Sequence, residues 1–233
     1  MSIFVSFGII ILAAIIHAFF QLNLGGLILL YHSSQKSHIA KKTRVLATNF
    51  ILGTILMLFL GLATSAFVIL TFFGGKLEIE FLSLLVGLLL ILSIVIWGFY
   101  YRSGQSTELW LPRSVSRFIT SRLKNTSSRI EAFSLGMLTC LAEFPFSFVL
   151  IFLASNFFLD FSPEFQLLSF FLYIFIAVLP LLICRLFVRK GKTVADIQKW
   201  RTKYKSFLRF LCGVSFLILA LFVFVFKILG EIL

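Results

Sequence analysis

Six uninterrupted apolar runs, each about as long as a bilayer core requires, decide what this chain can fold into. They cover Ile3–Tyr31, Val45–Phe73, Phe81–Tyr101, Ala132–Phe158, Phe165–Cys184 and Ser206–Phe226. A helix needs about 20 apolar residues to cross the hydrocarbon, and a lone segment in lipid must be helical, because only then does its backbone satisfy its own hydrogen bonds. With short loops between them, six such helices use up all 233 residues. Composition points the same way: 60% of the residues are hydrophobic and 13% charged, against about 45–50% and about 25% in soluble domains. The expected fold class is therefore an all-α integral membrane protein, a single transmembrane domain over residues 1–233. The first run lacks a basic leader and a small-residue cleavage site, so it is expected to be a retained span.

The charges assign the loops. Lys36, Lys41, Lys42 and Arg44 follow the first run; Arg102, Arg113, Arg117, Arg122, Lys124 and Arg129 follow the third. After the fifth come nine basic residues between Arg185 and Arg209, among them Lys199, Arg201, Lys203 and Lys205. The other two connections hold Lys76, Glu78 and Glu80 in one case, Asp160 and Glu164 in the other. Basic and non-basic loops thus alternate, as six spans require. Because Lys and Arg mark the cytoplasmic side, the chain is expected in the plasma membrane with basic loops inside and both termini outside. The net charge of +12 is then directed at an anionic inner leaflet, and nucleic acid is not an expected partner. Trp97, Tyr100, Tyr101, Trp110, Trp200 and Tyr204 gather on the same side, at the depth where amphipathic rings settle.

Within the third loop, Trp110, Leu111, Val115, Phe118, Ile119 and Leu123 recur at helical spacing, with Pro112 at the start and Arg113 and Arg117 on other faces. This reads as a basic helix lying on the inner leaflet, or else as a solvated charged loop with incidental apolar residues. Arg113, Arg117, Lys199, Arg201, Lys203 and Lys205 are the expected inner-leaflet contacts.

Polar groups at mid-membrane are costly and call for a partner or a purpose. Glu143 is the only carboxylate well inside an apolar run, and Gly136, Thr139, Glu143 and Ser147 fall on one helical face. Such a stripe lines a cavity or a helix contact. Pro145, two residues on, removes a backbone donor and is expected to open the helix there. In the first run His17, Gln21 and Asn23 repeat the spacing of Thr139, Glu143 and Pro145, and Gly25 and Gly26 follow. That run would measure roughly 43 Å as one straight helix, beyond a core of about 30 Å, so a break near Asn23–Gly26 or a strong tilt is expected. Interrupted helices at matching positions of two halves point to a transport site at the midplane. Three spans per half give the halves opposite orientations, hence two inverted repeats: about 1–101 and 131–233, joined by a basic connector, 102–130. The rival reading makes Glu143 a protonated hydrogen-bond partner of Gln21 or His17 that only holds helices together.

Cys140, Cys184 and Cys212 form no CxxC pair and are odd in number, which supports neither a disulfide framework nor a metal site. No nucleophile and base pair and no phosphate-binding loop is found, so no enzyme and no cofactor are expected. Gly61 and Ser65 make a small-xxx-small pair that serves packing within the chain or a homo-oligomer equally well.

The segments GMLTCLAEFPFSF, YIFIAVLPLLICRLF and FLRFLCGVSFLILALFVF, set in two three-span halves, resemble the lysine exporter (LysE) superfamily. The likeness is to its small six-helix branch, which includes CcdA and the DsbD membrane domain, and it covers nearly the whole chain. That branch carries a Cys beside Pro in its first and fourth spans. Here the first run has no Cys and Cys140 is not beside Pro145, so a transmembrane thiol relay, which needs two sulfurs that meet, is disfavoured. The resemblance then implies an exporter of amino acids, metals or small anions. The expected function is a secondary transporter of a small solute, proton-coupled through Glu143, with His17, Gln21, Asn23, Thr139 and Pro145 along the pathway. The alternative is a membrane adaptor or accessory subunit acting through its basic cytoplasmic face.

Overall fold

A computed structural model describes residues 3–19, 22–34, 40–102, 113–189, 196, 199–200 and 203–230. The described elements are α1 (Ile3–Phe19), α2 (Leu22–Ser34), α3 (Ala40–Phe72), α4 (Ile79–Arg102), α5 (Arg113–Asn125), α6 (Arg129–Leu159), α7 (Pro163–Arg189) and α8 (Lys205–Val223), closed by a π-helical turn, Phe224–Leu229. No strand occurs among the described residues.

Six stretches are long and apolar enough to cross a membrane: Ile3–Tyr31, Lys42–Phe72, Ile79–Gly98, Arg129–Leu159, Pro163–Val188 and Ser206–Leu229. Each coincides with one of the six runs in the sequence, within four residues at either end. The exposed large side chains, such as Phe67, Leu84, Ile94, Leu167, Phe171 and Phe175, are apolar, an outer surface suited to lipid rather than water.

The α1–α2 run is the hub, in contact with α3, α6, α7 and α8. Helix α3 lies most extensively along α6, and α4 along α8. The α3–α6 contact is close because two glycines face each other across it. A Cβ on Gly53 would strike the Phe133 carbonyl, and one on Gly136 would strike the Phe50 carbonyl. Missing side chains let the two backbones meet, and the Thr54 hydroxyl donates across the contact to the Gly136 carbonyl at 3.3 Å. Further along the same pair, Gly61 lies against Ile151 and the Ser155 hydroxyl donates to the Leu62 carbonyl at 3.2 Å. With Ser65 buried as well, the Gly61/Ser65 face packs inside the chain. Helices α4 and α8 are tied by Ser93, whose hydroxyl donates to the Gly213 carbonyl at 2.8 Å, and Gly213 accommodates the Trp97 indole.

Two local expectations are corrected. A break within Asn23–Gly26, the first of the two alternatives for the long run, is not found, since those residues are regular helix within α2, and Gly26 serves packing: a Cβ there would stand 3.1 Å from the Phe50 ring and 3.3 Å from Leu123. Helix α6 also runs unbroken through Pro145, which lies exposed on its outer side. A proline whose ring faces outward costs the helix one hydrogen bond without having to open it.

The connector does form a helix, α5. Its Ile119 and Leu123 are buried, 4% and 1% exposed, while Arg117, Phe118, Arg122 and Lys124 are exposed. The apolar stripe meets α2 and α6, so α5 is docked on the bundle rather than loosely solvated.

Candidate functional site

The polar stripe on α6 faces inward. Gly136, Thr139, Glu143 and Ser147 are all buried, Glu143 with 1% of its surface exposed. Glu143 stands one residue from the centre of its 31-residue helix, where the distance to either end is greatest. Thr139 turns its hydroxyl onto its own helix, donating to the Leu135 carbonyl at 2.9 Å and the Gly136 carbonyl at 3.1 Å, and Ser147 does likewise to the Glu143 carbonyl at 3.3 Å. Two of the four stripe residues therefore satisfy themselves locally, and Gly136 serves the α3 contact.

His17 sits at the centre of the first long helical run and is buried. Its Nδ1 lies 2.9 Å from the hydroxyl of Tyr173, a fully buried residue within three positions of the centre of α7's candidate span. The tyrosine donates when the imidazole carries its own proton on Nε2, and accepts in the other tautomer. The rings meet edge to face at 5.8 Å. Sequence reading missed Tyr173. Its only signal was a hydroxyl in the middle of an aromatic-rich run, which sequence alone does not distinguish from a packed ring. Helix α1 contacts both α6 and α7, so the elements bearing His17, Glu143 and Tyr173 are neighbours.

Of the other expected residues, Gln21 lies outside the described residues, as does Arg201. Asn23, Arg113 and Lys205 are placed only as helical backbone, and Lys199 and Lys203 are exposed. Cys140, Cys184 and Cys212 are free and buried. Among the described residues no group of three His, Cys, Asp or Glu could hold a metal ion.

A second polar region, which sequence reading did not single out, lies at the end opposite the basic segments. The start of α1, the α3–α4 turn, the α6–α7 turn and the π-helical turn converge there on a cavity of about 350 Å³ lined by Ile3, Ser6, Lys76, Asp160, Phe161, Phe226, Lys227 and Gly230. None of the expected pathway residues lines it. Lys227 is only 3% exposed, with its Nζ 3.9 Å from an Asp160 carboxylate oxygen and 6.0 Å from the Phe157 ring centre. Lys227 lies four residues past the inward-facing Val223, so helical spacing alone carries it to the same face. The wider i→i+5 turn brings Ile228 to that face as well, where a regular helix would turn it away. Next to this cluster the fully buried Asn156 accepts a hydrogen bond from the Leu77 backbone at 2.9 Å, and its Nδ2 has no partner among the described residues.

Comparison with family models, with curated proteins and with solved structures finds no match to this chain.

Proposed function

We propose that the chain is a six-span plasma-membrane transporter of a small solute, with its basic loops cytoplasmic, its termini outside and Glu143 as a proton-carrying group. The observation that carries this reading is the placement of Glu143, a carboxylate buried at the centre of a 31-residue apolar helix that packs against the two helices, α1 and α7, joined by the buried His17–Tyr173 pair. In hydrocarbon such groups are retained where protons or ions move. A carboxylate that gains and loses one proton per cycle alternates between a neutral and a charged form, and that alternation drives coupling.

Inverted repeats are part of the proposal, and the pattern of helix contacts supports them. Exchanging the first three spans for the last three maps each substantial contact onto another: α3 on α6 onto α7 on α1, α1 on α8 onto α6 on α4, and α2 on α3 onto α6 on α7. The contacts of α1 with α6, of α3 with α7 and of α4 with α8 map onto themselves. Two halves that rock about such an axis would open the middle alternately to either side.

The adaptor reading rests on α5, which is docked through Ile119 and Leu123 and offers Arg117, Phe118, Arg122 and Lys124 outward. An uptake screen in proteoliposomes over amino acids, divalent cations and small anions, with and without a pH gradient, tests the leading proposal. A solute whose flux follows the gradient and is lost in Glu143→Gln supports it; wild-type liposomes that move none of them leave the adaptor.

A further inference from the structure

We infer that the outward face of α5 binds the headgroups of anionic phospholipids, and that lipid held there fastens the helix across the first and fourth spans. Through Ile119 and Leu123, both buried, the apolar stripe of α5 is spent on the protein. The helix contacts α2 and α6, and Leu123 reaches so near Gly26 that a Cβ there would stand 3.3 Å from it. Lipid therefore meets the opposite face, where Arg117, Ser121 and Lys124 are exposed and run in line, four and three residues apart. Beside them Phe118 is 50% exposed, and the Arg122 guanidinium carbon stands 5.7 Å from its ring centre. A half-exposed ring among cations suits the headgroup layer, the ring turned to the glycerol region and the cations to phosphate.

Two observations set α5 at headgroup depth. It ends at Asn125 and α6 begins at Arg129, so only three residues, about 10 Å fully extended, join it to a membrane span. That span has 31 residues, about 46 Å of helix against a hydrocarbon core of about 30 Å, which leaves its end turns among the headgroups. On the other side, Gly26 lies five residues before Tyr31, where the first span ends. Charge then selects anionic over neutral lipid. All lysines and arginines but Lys76 and Lys227, 19 of the 21, fall in the three basic segments and their flanks, with only Glu108, Glu131 and Asp196 of the nine acidic residues. A large positive excess remains however those three acids are paired, and in α5 itself the Arg122–Glu131 contact at 3.8 Å accounts for one of them. Such an excess at headgroup depth draws anionic lipid. The inference does not depend on Glu143 carrying protons, and it gives to lipid the face that the adaptor reading would give to a protein.

Hydrogen–deuterium exchange of the α5 amides tests it, with the full chain in nanodiscs of phosphatidylcholine alone or with added phosphatidylglycerol. Lipid that binds docked α5 lowers the population of its opened form, so phosphatidylglycerol should slow wild-type exchange by about tenfold, as roughly 1 kcal/mol from each of a few cations allows. Arg117→Gln, Arg122→Gln and Lys124→Gln together, all at exposed positions, should remove that lipid dependence while α5 exchanges as in wild type in phosphatidylcholine. Phe118→Ser, which changes no charge, should reduce the effect without abolishing it. A fluorophore on Ser121→Cys reports contact, since Cys140, Cys184 and Cys212 are buried: nitroxide-headgroup phosphatidylglycerol should quench it more than the same label on phosphatidylcholine. Glu143→Gln should respond to lipid as wild type does, so a failure of the transport reading would be seen separately. Equal exchange of wild type in the two lipids, undiminished slowing in the triple variant, or equal quenching by both labelled lipids would overturn the inference. Shielding of the fluorophore by soluble protein but not by lipid would also overturn it and return α5 to the adaptor reading.

Discussion

The middle of the bundle and the end opposite its basic segments both bury charge-bearing side chains, but they do so in opposite ways. At mid-length Glu143, His17 and Tyr173 are buried, and two turns before Glu143 the backbones of α3 and α6 touch through Gly53 and Gly136. At the end opposite the basic segments Lys227 and Asp160 line a cavity, the lysine carried inward by its helical spacing from Val223. A buried ionisable group in a packed layer has to exchange protons or stay inert, whereas one at a cavity wall can meet a ligand. On the proposed function, proton transfer belongs to the packed middle and not to the end that opens on a cavity.

The largest expected effect comes from breaking the packed layer. Gly136→Val drives a branched side chain into the Phe50 carbonyl, and overpacking of this kind costs about 1–3 kcal/mol or more. The variant should lose its monodisperse peak in size-exclusion chromatography or melt far below wild type; a protein that tolerates Gly136→Val would show that the two helices are not held this close.

At the cavity end, Lys227→Met should destabilise by about 1–3 kcal/mol, since it strands a partly buried Asp160 without its partner. Adding Asp160→Asn should return most of that loss in thermal melts. Were the double variant no more stable than the single, the ion pair would have no part in holding the cavity together. A smaller effect is expected for Tyr173→Phe, which removes the 2.9 Å hydrogen bond to His17 at a cost of about 1 kcal/mol. If solute flux falls well beyond what that stability loss explains, the His17–Tyr173 pair belongs to the transport pathway; if flux is unchanged, it is glue. The smallest change in stability should follow replacement of Lys199, Arg201, Lys203 and Lys205 by Gln. Such surface cations each contribute about 1 kcal/mol of attraction to anionic lipid, so the variant should be cut faster by protease in inside-out vesicles while melting as wild type does.

Much of this architecture could be read from the sequence, because hydrophobic run length and loop charge are local quantities. The span Ile3–Tyr31 comes out with the same limits in the sequence and in the structure, and the inward face of Gly136, Thr139, Glu143 and Ser147 followed from spacing alone. Partnerships between distant helices were not legible: nothing near Tyr173 announces His17, and Gly53 gives no sign that it faces Gly136. Lys227 was lost for a sharper reason. A hydropathy run ends where a charge begins, so the sixth run stops at Phe226 and hands the next residue to water. Its helical spacing from Val223 put it on the inward face all the same. Pro145 misled in the other direction, since a proline on an exposed face need not open the helix that contains it.

The central claim is that Glu143 carries a proton as the solute crosses. The most direct measurement is the internal pH of proteoliposomes that hold a trapped pH-sensitive dye, recorded as a transported solute is added outside, for wild type and for Glu143→Gln of equal stability. The account predicts a solute-dependent pH change for wild type and neither that change nor solute flux for the variant. Solute flux with the wild-type pH change in Glu143→Gln would contradict it and return the carboxylate to the role of a packing residue.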